Sequence, residues 1–327
     1  MKKTVAMVLS AVLAAGVLAG CGAQGGEKVY KVGVTQISDH PSLDNCREGF
    51  IEGLKQEGYT EGDNLEIDFQ SAQDVPSAAS QIAQNFASTG KDLVCGIATP
   101  SAQALYTVCY EKNIPVIFNA VSDPVEAKLA VSENEAMDGI TGVSDALPVA
   151  DQLKLIREVM PEAKKIGILY TTSEANSIST LATYKELAGE YGFEIVEAGV
   201  GTKAEIPQAA DILVSKVDCI SNMTDNAVVA SLSVLLEKAN AANIPVFGSE
   251  EEQVKNGCIA SAGLDYFTLG VQAGKMAAQV LRGTAVSEIP YETLKESAVT
   301  VNSAVAESLG ITLPDGVTAS ATDVAAE

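Results

Sequence analysis

Two stretches of this chain say the same thing twice. "DLVCGIATPSAQAL" (Asp92–Leu105) returns as "DCISNMTDNAVVASL" (Asp218–Leu232), and "NIPVIF" (Asn113–Phe118) returns as "NIPVFG" (Asn243–Gly248). The offset is about 130 residues, too long for a solenoid repeat and suited to a duplicated domain. In the first copy the strands "KVYKVGVTQI", "NLEIDFQSAQ" (apolar and polar residues in alternation), "DLVCGIA" and "IPVIFNAV" take turns with helical stretches such as "PSLDNCREGFIEGLKQEGY". The second copy repeats the alternation from "AKKIGILYT" to "IPVFG". Strand and helix in strict turn predict an α/β fold, each half a parallel sheet with helices on both faces.

The segment "GITGVSD" joins the halves, and a tail with one more helix and strand follows the second. A tail of that make-up can return the chain to the first lobe and cross again. The expected division is residues 29–142 plus 264–288 in lobe 1 and 143–263 plus 289–320 in lobe 2. Several connections between two lobes form a hinge.

Residues 1–20 read as an export signal: a basic "MKK", then an apolar run too short for a comfortable span. It ends in "LAGC", similar to a bacterial lipobox, so Cys21 is the expected lipidation site and residues 21–28 a tether to the membrane. The expected location is extracytoplasmic, held to the cell membrane by lipid. A net charge of −22 repels phosphate backbones and excludes nucleic acid as a partner. Of six cysteines, the five after Cys21 have no CxxC spacing, and buried free thiols are expected.

In open parallel sheets, ligands bind beyond the carboxyl ends of the strands. Here those loops are crowded with small polar residues: "TQISDHPSLD", "ATPSA" and "NAVSDPV" in the first half, "YTTSEANS", "TDN" and "GSEEE" in the second. Single residues of this kind cap helices; runs of three or four in six loops suggest two polar rows facing across a cleft. In "ATPSAQ", Pro100 suits a first helical turn, leaving the N–H groups of Ser101 and Ala102 for an anion such as a carboxylate. Asp123, Asp225 and Glu250 are candidate acceptors for an ammonium group, with helix capping as the alternative role. Tyr170 is the aromatic residue expected in the cleft.

Catalysis has little to stand on. The single histidine, His40, is expected to open a helix and contact ligand. No metal-ligand cluster, nucleophile elbow or phosphate-binding loop is present in the sequence, and neither metal nor cofactor is expected. "GVQAGK" falls inside a helical pattern and reads as chance.

The stretches "GVTQISDHPSLDNCREGFIEGL", "IATPSAQAL", "IPVIFNAVSDPVEAKL", "GVSD" and "TDNAVVASL" together resemble the substrate-binding lipoproteins of ABC importers. The branch resembled has the type I periplasmic-binding-protein fold and takes up tryptophan and related aromatic amino acids. That resemblance implies two Rossmann-like lobes, a three-segment hinge and a ligand clamped between them, in a monomer that serves a permease and its ATPase. It places Gln36, His40, Asp44, Thr99, Pro100, Ser101, Ala102, Ser122 and Asp123 at the site from the first lobe. From the second it places Tyr170, Ser173, Asn176, Ser177, Asp225, Asn226 and Glu250, with Asp265 where the chain re-enters the first lobe. Glu174 adds an acid beside the cleft. The expected ligand is a small zwitterion, an aromatic amino acid before any other. A sugar, nucleoside or signalling molecule on the same fold, and an extracytoplasmic enzyme using His40, are the competing readings.

Overall fold

The computed structural model describes residues 28–326; the expected leader, Cys21 and all but the last tether residue lie outside the described residues. The first lobe is built on β1 (Tyr30–Gln36), β2 (Leu65–Ser71), β3 (Leu93–Ile97), β4 (Val116–Asn119), β7 (Ile140–Ser144) and β13 (Glu292–Thr293). These form one sheet in the order β13-β7-β4-β3-β1-β2, every pairing parallel. Its middle strands β3, β4 and β7 are buried at every residue, as a sheet covered on both faces requires. A small hairpin, β5 (Ala130–Ser132) and β6 (Glu135–Ala136), stands beside it.

The helices of this lobe are α1 (Pro41–Gln56), α2 (Pro76–Ser88), α3 (Thr99–Cys109) and, from the tail, α10 (Tyr266–Leu281). Helix α1 turns Leu43, Phe50 and Leu54 inward, and α10 lies against it so closely that side chains are excluded. A Cβ on Gly49 would sit 2.1 Å from the Phe267 carbonyl oxygen, and one on Gly270 2.2 Å from that of Cys46. Gly53 and Gly274 repeat the contact one turn on. The phrase "GVQAG" therefore lies within helix α10, as its helical pattern implied, and Gly270 and Gly274 belong to the face packed on α1.

The second lobe carries β8 (Lys165–Thr171), β9 (Glu194–Val200), β10 (Cys219–Ser221) and β11 (Val246–Phe247) in the parallel order β11-β10-β8-β9. Three further strands, β12 (Ala260–Gly263), β14 (Ala298–Val301) and β15 (Thr322–Asp323), continue beside β11, where the Ile259 N–H donates to the Val246 carbonyl at 2.8 Å. Around them lie α4 (Val149–Val159), α5 (Ala175–Leu187), α6 (Ile206–Val214), α7 (Asn226–Val229), α8 (Leu232–Ala241) and α9 (Glu251–Lys255). Cys46, Cys95, Cys109, Cys219 and Cys258 are all buried and free, and burial pushes their thiols up. Among the described residues no helix is long and apolar enough to cross a membrane.

The chain passes between the lobes after β7, between β12 and α10, and between β13 and β14. Three expected boundaries shift. Strand β7 completes the first sheet, so that lobe runs through Ser144 and does not stop at 142. Strand β13 pairs with β7, which extends lobe 1 beyond 288. The second lobe likewise runs past 320, because β15 pairs with β14.

Candidate functional site

The carboxyl ends of both sheets face each other, and the lobes are closed. Ser42 Oγ donates to Glu250 Oε1 across the gap at 3.0 Å, and Asn45 Nδ2 to Glu252 Oε1 at 3.3 Å. Further bridges are the Ser179 hydroxyl on Asp123 and the Lys203 ammonium on Asp74 at 2.8 Å. Between them lies a small cavity of about 20 Å³, which in this closed form has room for little more than water.

Lobe 1 lines it with His40 and Leu43 from the start of α1, Thr99 from α3, Ser122 after β4, Asp145 after β7 and Tyr266 from α10. Lobe 2 adds Asn176, Thr224, Asn226, Val229 and Gln253. Asp145 is 2 % exposed, accepts from Ser122 Oγ at 2.9 Å and from the Tyr266 hydroxyl at 2.5 Å, and has no cationic neighbour among the described residues. Burial raises its carboxyl above the usual range. An acid held this way is costly to ionise until a cation joins it.

The start of α3 is the electrostatic opposite. Its N-cap is Ala98, which has no capping side chain and sits at φ 71°, ψ 155°, a conformation normally left to glycine. Pro100 has no N–H, and the Ala102 N–H is already paired with the Ala98 carbonyl at 3.1 Å. That corrects the expectation for Ala102: Thr99 and Ser101 supply the free N–H groups. The hydroxyls of both are buried without partners. A helix N-terminus left open over a closed cavity is a site for an anion.

Of the residues expected at the site, His40, Thr99, Ser122, Asn176 and Asn226 line the cavity. Ser101 is fully buried and is not among the residues that line the cavity. Asp225, expected to receive an ammonium, does not reach the cavity. Its carboxylate accepts from the Thr171 N–H and hydroxyl, from Ser177 Oγ and from the Val228 N–H, all in its own lobe. Those bonds use its oxygens up, so the alternative role of cap is the one it fills. Glu250 caps α9 and receives Ser42, and burial pushes its carboxyl up to about 7. Asp123 accepts the N–H groups of Val125 and Glu126 as well as the Ser179 hydroxyl.

Several others stand further off. Gln36 and Asp44 form a closed network with Arg47 that shapes the loop before α1. Tyr170 packs on the core of lobe 2 and lines no part of the cavity. Pro100 and Ser173 border an outer groove with Glu174. Asp265 caps α10, accepting from the Phe267 and Thr268 N–H groups. Asp145, Tyr266 and Gln253 are the residues sequence reasoning missed. Asp145 had one signal, an acid directly after an apolar strand.

A closed cavity between hinged parallel-sheet lobes, with an open helix N-terminus and a buried acid inside it, defines a solute receptor. Residues 31–325 match the family described as ABC transporter substrate binding protein, and the chain belongs to that family, whose members act outside the cytoplasm. It is 39 % identical to a tyrosine-binding protein of Clostridioides difficile, over 92 % of this chain and 90 % of that one. Among solved structures it overlays at TM-score 0.87 and 34 % identity on a Streptococcus pneumonia ABC domain in complex with L-Trp, covering 90 % of this chain and 99 % of that one. A ligand-free, open substrate binding protein from Clostridium difficile, at 38 % identity and the same coverage, gives only 0.68. Higher identity with the poorer overlay matches the closed lobes seen here.

Proposed function

We propose that the lobes part and close again around an aromatic L-amino acid, which widens this cavity, with both charged ends of the ligand held by lobe 1. The ammonium meets Asp145 and Ser122, joined from lobe 2 by Asn176, whose Oδ1 is buried without a partner. The carboxylate meets the free N–H groups of Thr99 and Ser101. One observation carries the reading: an acid with no cation and a helix N-terminus with no anion share one small closed cavity. The relatives that bind tyrosine and L-Trp support the aromatic class.

The chain is read as a receptor without turnover. His40 hydrogen-bonds to no acid or nucleophile among the described residues, and burial lowers its imidazole to about 4, so it stays neutral. Lipid carried on Cys21 would hold the monomer at the outer face of the cell membrane, where closed lobes present the ligand to a permease and its ATPase. A Cys21→Ser variant should release the protein from membranes.

The decisive titration compares L-tyrosine with its decarboxylated amine, tyramine. Loss of the carboxylate is expected to weaken binding by about 2–3 kcal/mol, the value of a charge-assisted hydrogen bond set. Equal affinities would remove the anion end of the site.

A further inference from the structure

The sheet order sets out what lies along the cavity. In the sequence β7-β4-β3-β1, the following loops bring Asp145, Ser122, Thr99 and His40 into a row. Neighbouring strands stand about 4.8 Å apart, so the row measures about 14 Å from Asp145 to His40. An α-ammonium and α-carboxylate occupy the Asp145–Thr99 part. The rest of the ligand then extends toward His40.

Apolar and polar side chains both line the cavity beyond Thr99. Leu43 and Val229 line the cavity with apolar surface, and His40 and Gln253 each line both the cavity and an adjoining outer vestibule. Gln253 is 2 % exposed and its amide orientation is fixed. Its Oε1 accepts from Asn222 Nδ2 at 2.9 Å and from the Ser249 N–H at 3.3 Å. The Nε2 donor is left buried with no partner. His40 is 8 % exposed, and neither of its ring nitrogens has a partner. A neutral imidazole offers one donor and one acceptor.

We infer that His40 and Gln253 read a phenolic hydroxyl, so that the site selects L-tyrosine over L-phenylalanine and L-tryptophan. This rests on the aromatic amino-acid reading above and adds the side chain. A phenol both donates and accepts: it takes the Gln253 N–H and gives its proton to the imidazole. A phenyl ring leaves both residues unmet, and an indole N–H, a donor only, leaves Gln253 unmet. Buried donors without partners are what make a hydroxyl-reading site reject the analogue lacking it.

Calorimetry with L-tyrosine, L-phenylalanine and L-tryptophan tests this in the wild type, in His40→Leu and in Gln253→Met. The wild type should bind L-tyrosine at least about tenfold more tightly than L-phenylalanine, and each variant should bring the ratio below about threefold. The His40 ring makes no hydrogen bond among the described residues, so His40→Leu keeps the test available if Gln253→Met, which also strips Asn222 and Ser249 of an acceptor, does not fold. Wild-type affinities for L-tyrosine and L-phenylalanine within threefold of each other, or a ratio unmoved in both variants, would overturn the hydroxyl subsite and leave the amino-acid reading standing. No binding of any of the three amino acids would overturn both.

Discussion

The N-terminus of α3 in the first lobe and that of α7 in the second occupy equivalent places in the repeat, "ATPSAQ" against "MTDNAV". Their helix ends are finished in opposite ways. At α7 the protein supplies its own anions: Asp225 accepts the Val228 N–H, and the Glu174 carboxylate accepts the N–H groups of Asn226 and Ala227. At α3 the cap is an alanine and the N–H groups of Thr99 and Ser101 stay open. The second lobe thus carries in its own side chains the negative charge that the first lobe awaits from a ligand. Equivalence in a repeat fixes where a loop stands, and the capping residue decides whether that place is structural or receptive.

Each change below bears on that contrast. Asp225→Ala should cost about 3–5 kcal/mol of stability in chemical denaturation, because it strands several buried donors of lobe 2. A stable variant with weakened ligand binding would instead make α7 a second receptive end.

The next effect concerns the buried acids of lobe 2. An unfolded Glu250 loses its proton near 4.5, while in the folded chain burial holds the proton to about 7. Between those values the folded state binds more protons, so stability must fall as pH rises, by roughly 3 kcal/mol over the window. Glu174, also raised to about 7 by burial and then by the Asp225 charge, adds in the same direction. Melting curves of Glu250→Gln between pH 4.5 and 7.5 should flatten relative to wild type; an unchanged slope would remove Glu250 as its source.

Ala98→Gly should raise stability by about 1 kcal/mol, since glycine adopts the backbone angles of Ala98 without strain. A loss would mean the methyl group matters more as cavity wall. Smallest is Lys203→Ala, which removes a half-exposed bridge between the closed lobes and should change ligand affinity by no more than about 0.5 kcal/mol.

The two-lobed α/β architecture was legible in the sequence because burial on both faces of a parallel sheet writes the inner strands as apolar runs. The edge strands β2 and β9 show an alternating or mixed pattern, and the repeat writes the order twice. The loops that line the cavity were legible as well, through their excess of small polar residues. The inward-facing residues within those loops were harder to find. "TDN" and "GSEEE" have the composition of a ligand loop, yet Asp225 and Glu250 turn back to cap their own helices. Asp145 passed for part of a linker because the tail strand β13, remote in sequence, is what extends the sheet beyond β7. The glycines of α10 acquire meaning only once α1 lies against them, a long-range contact that no local pattern states.

The charge arrangement at lobe 1 is tested most directly by a thermodynamic cycle. L-Tyrosine and 3-(4-hydroxyphenyl)propionate, which lacks only the ammonium, would be titrated into the wild type and into Asp145→Asn. The wild type should favour the amino acid by about 3 kcal/mol, and the substitution should erase most of that difference. If the wild type holds the two compounds equally well, or the preference survives in Asp145→Asn, the ammonium is bound elsewhere and lobe 1 does not hold both charges.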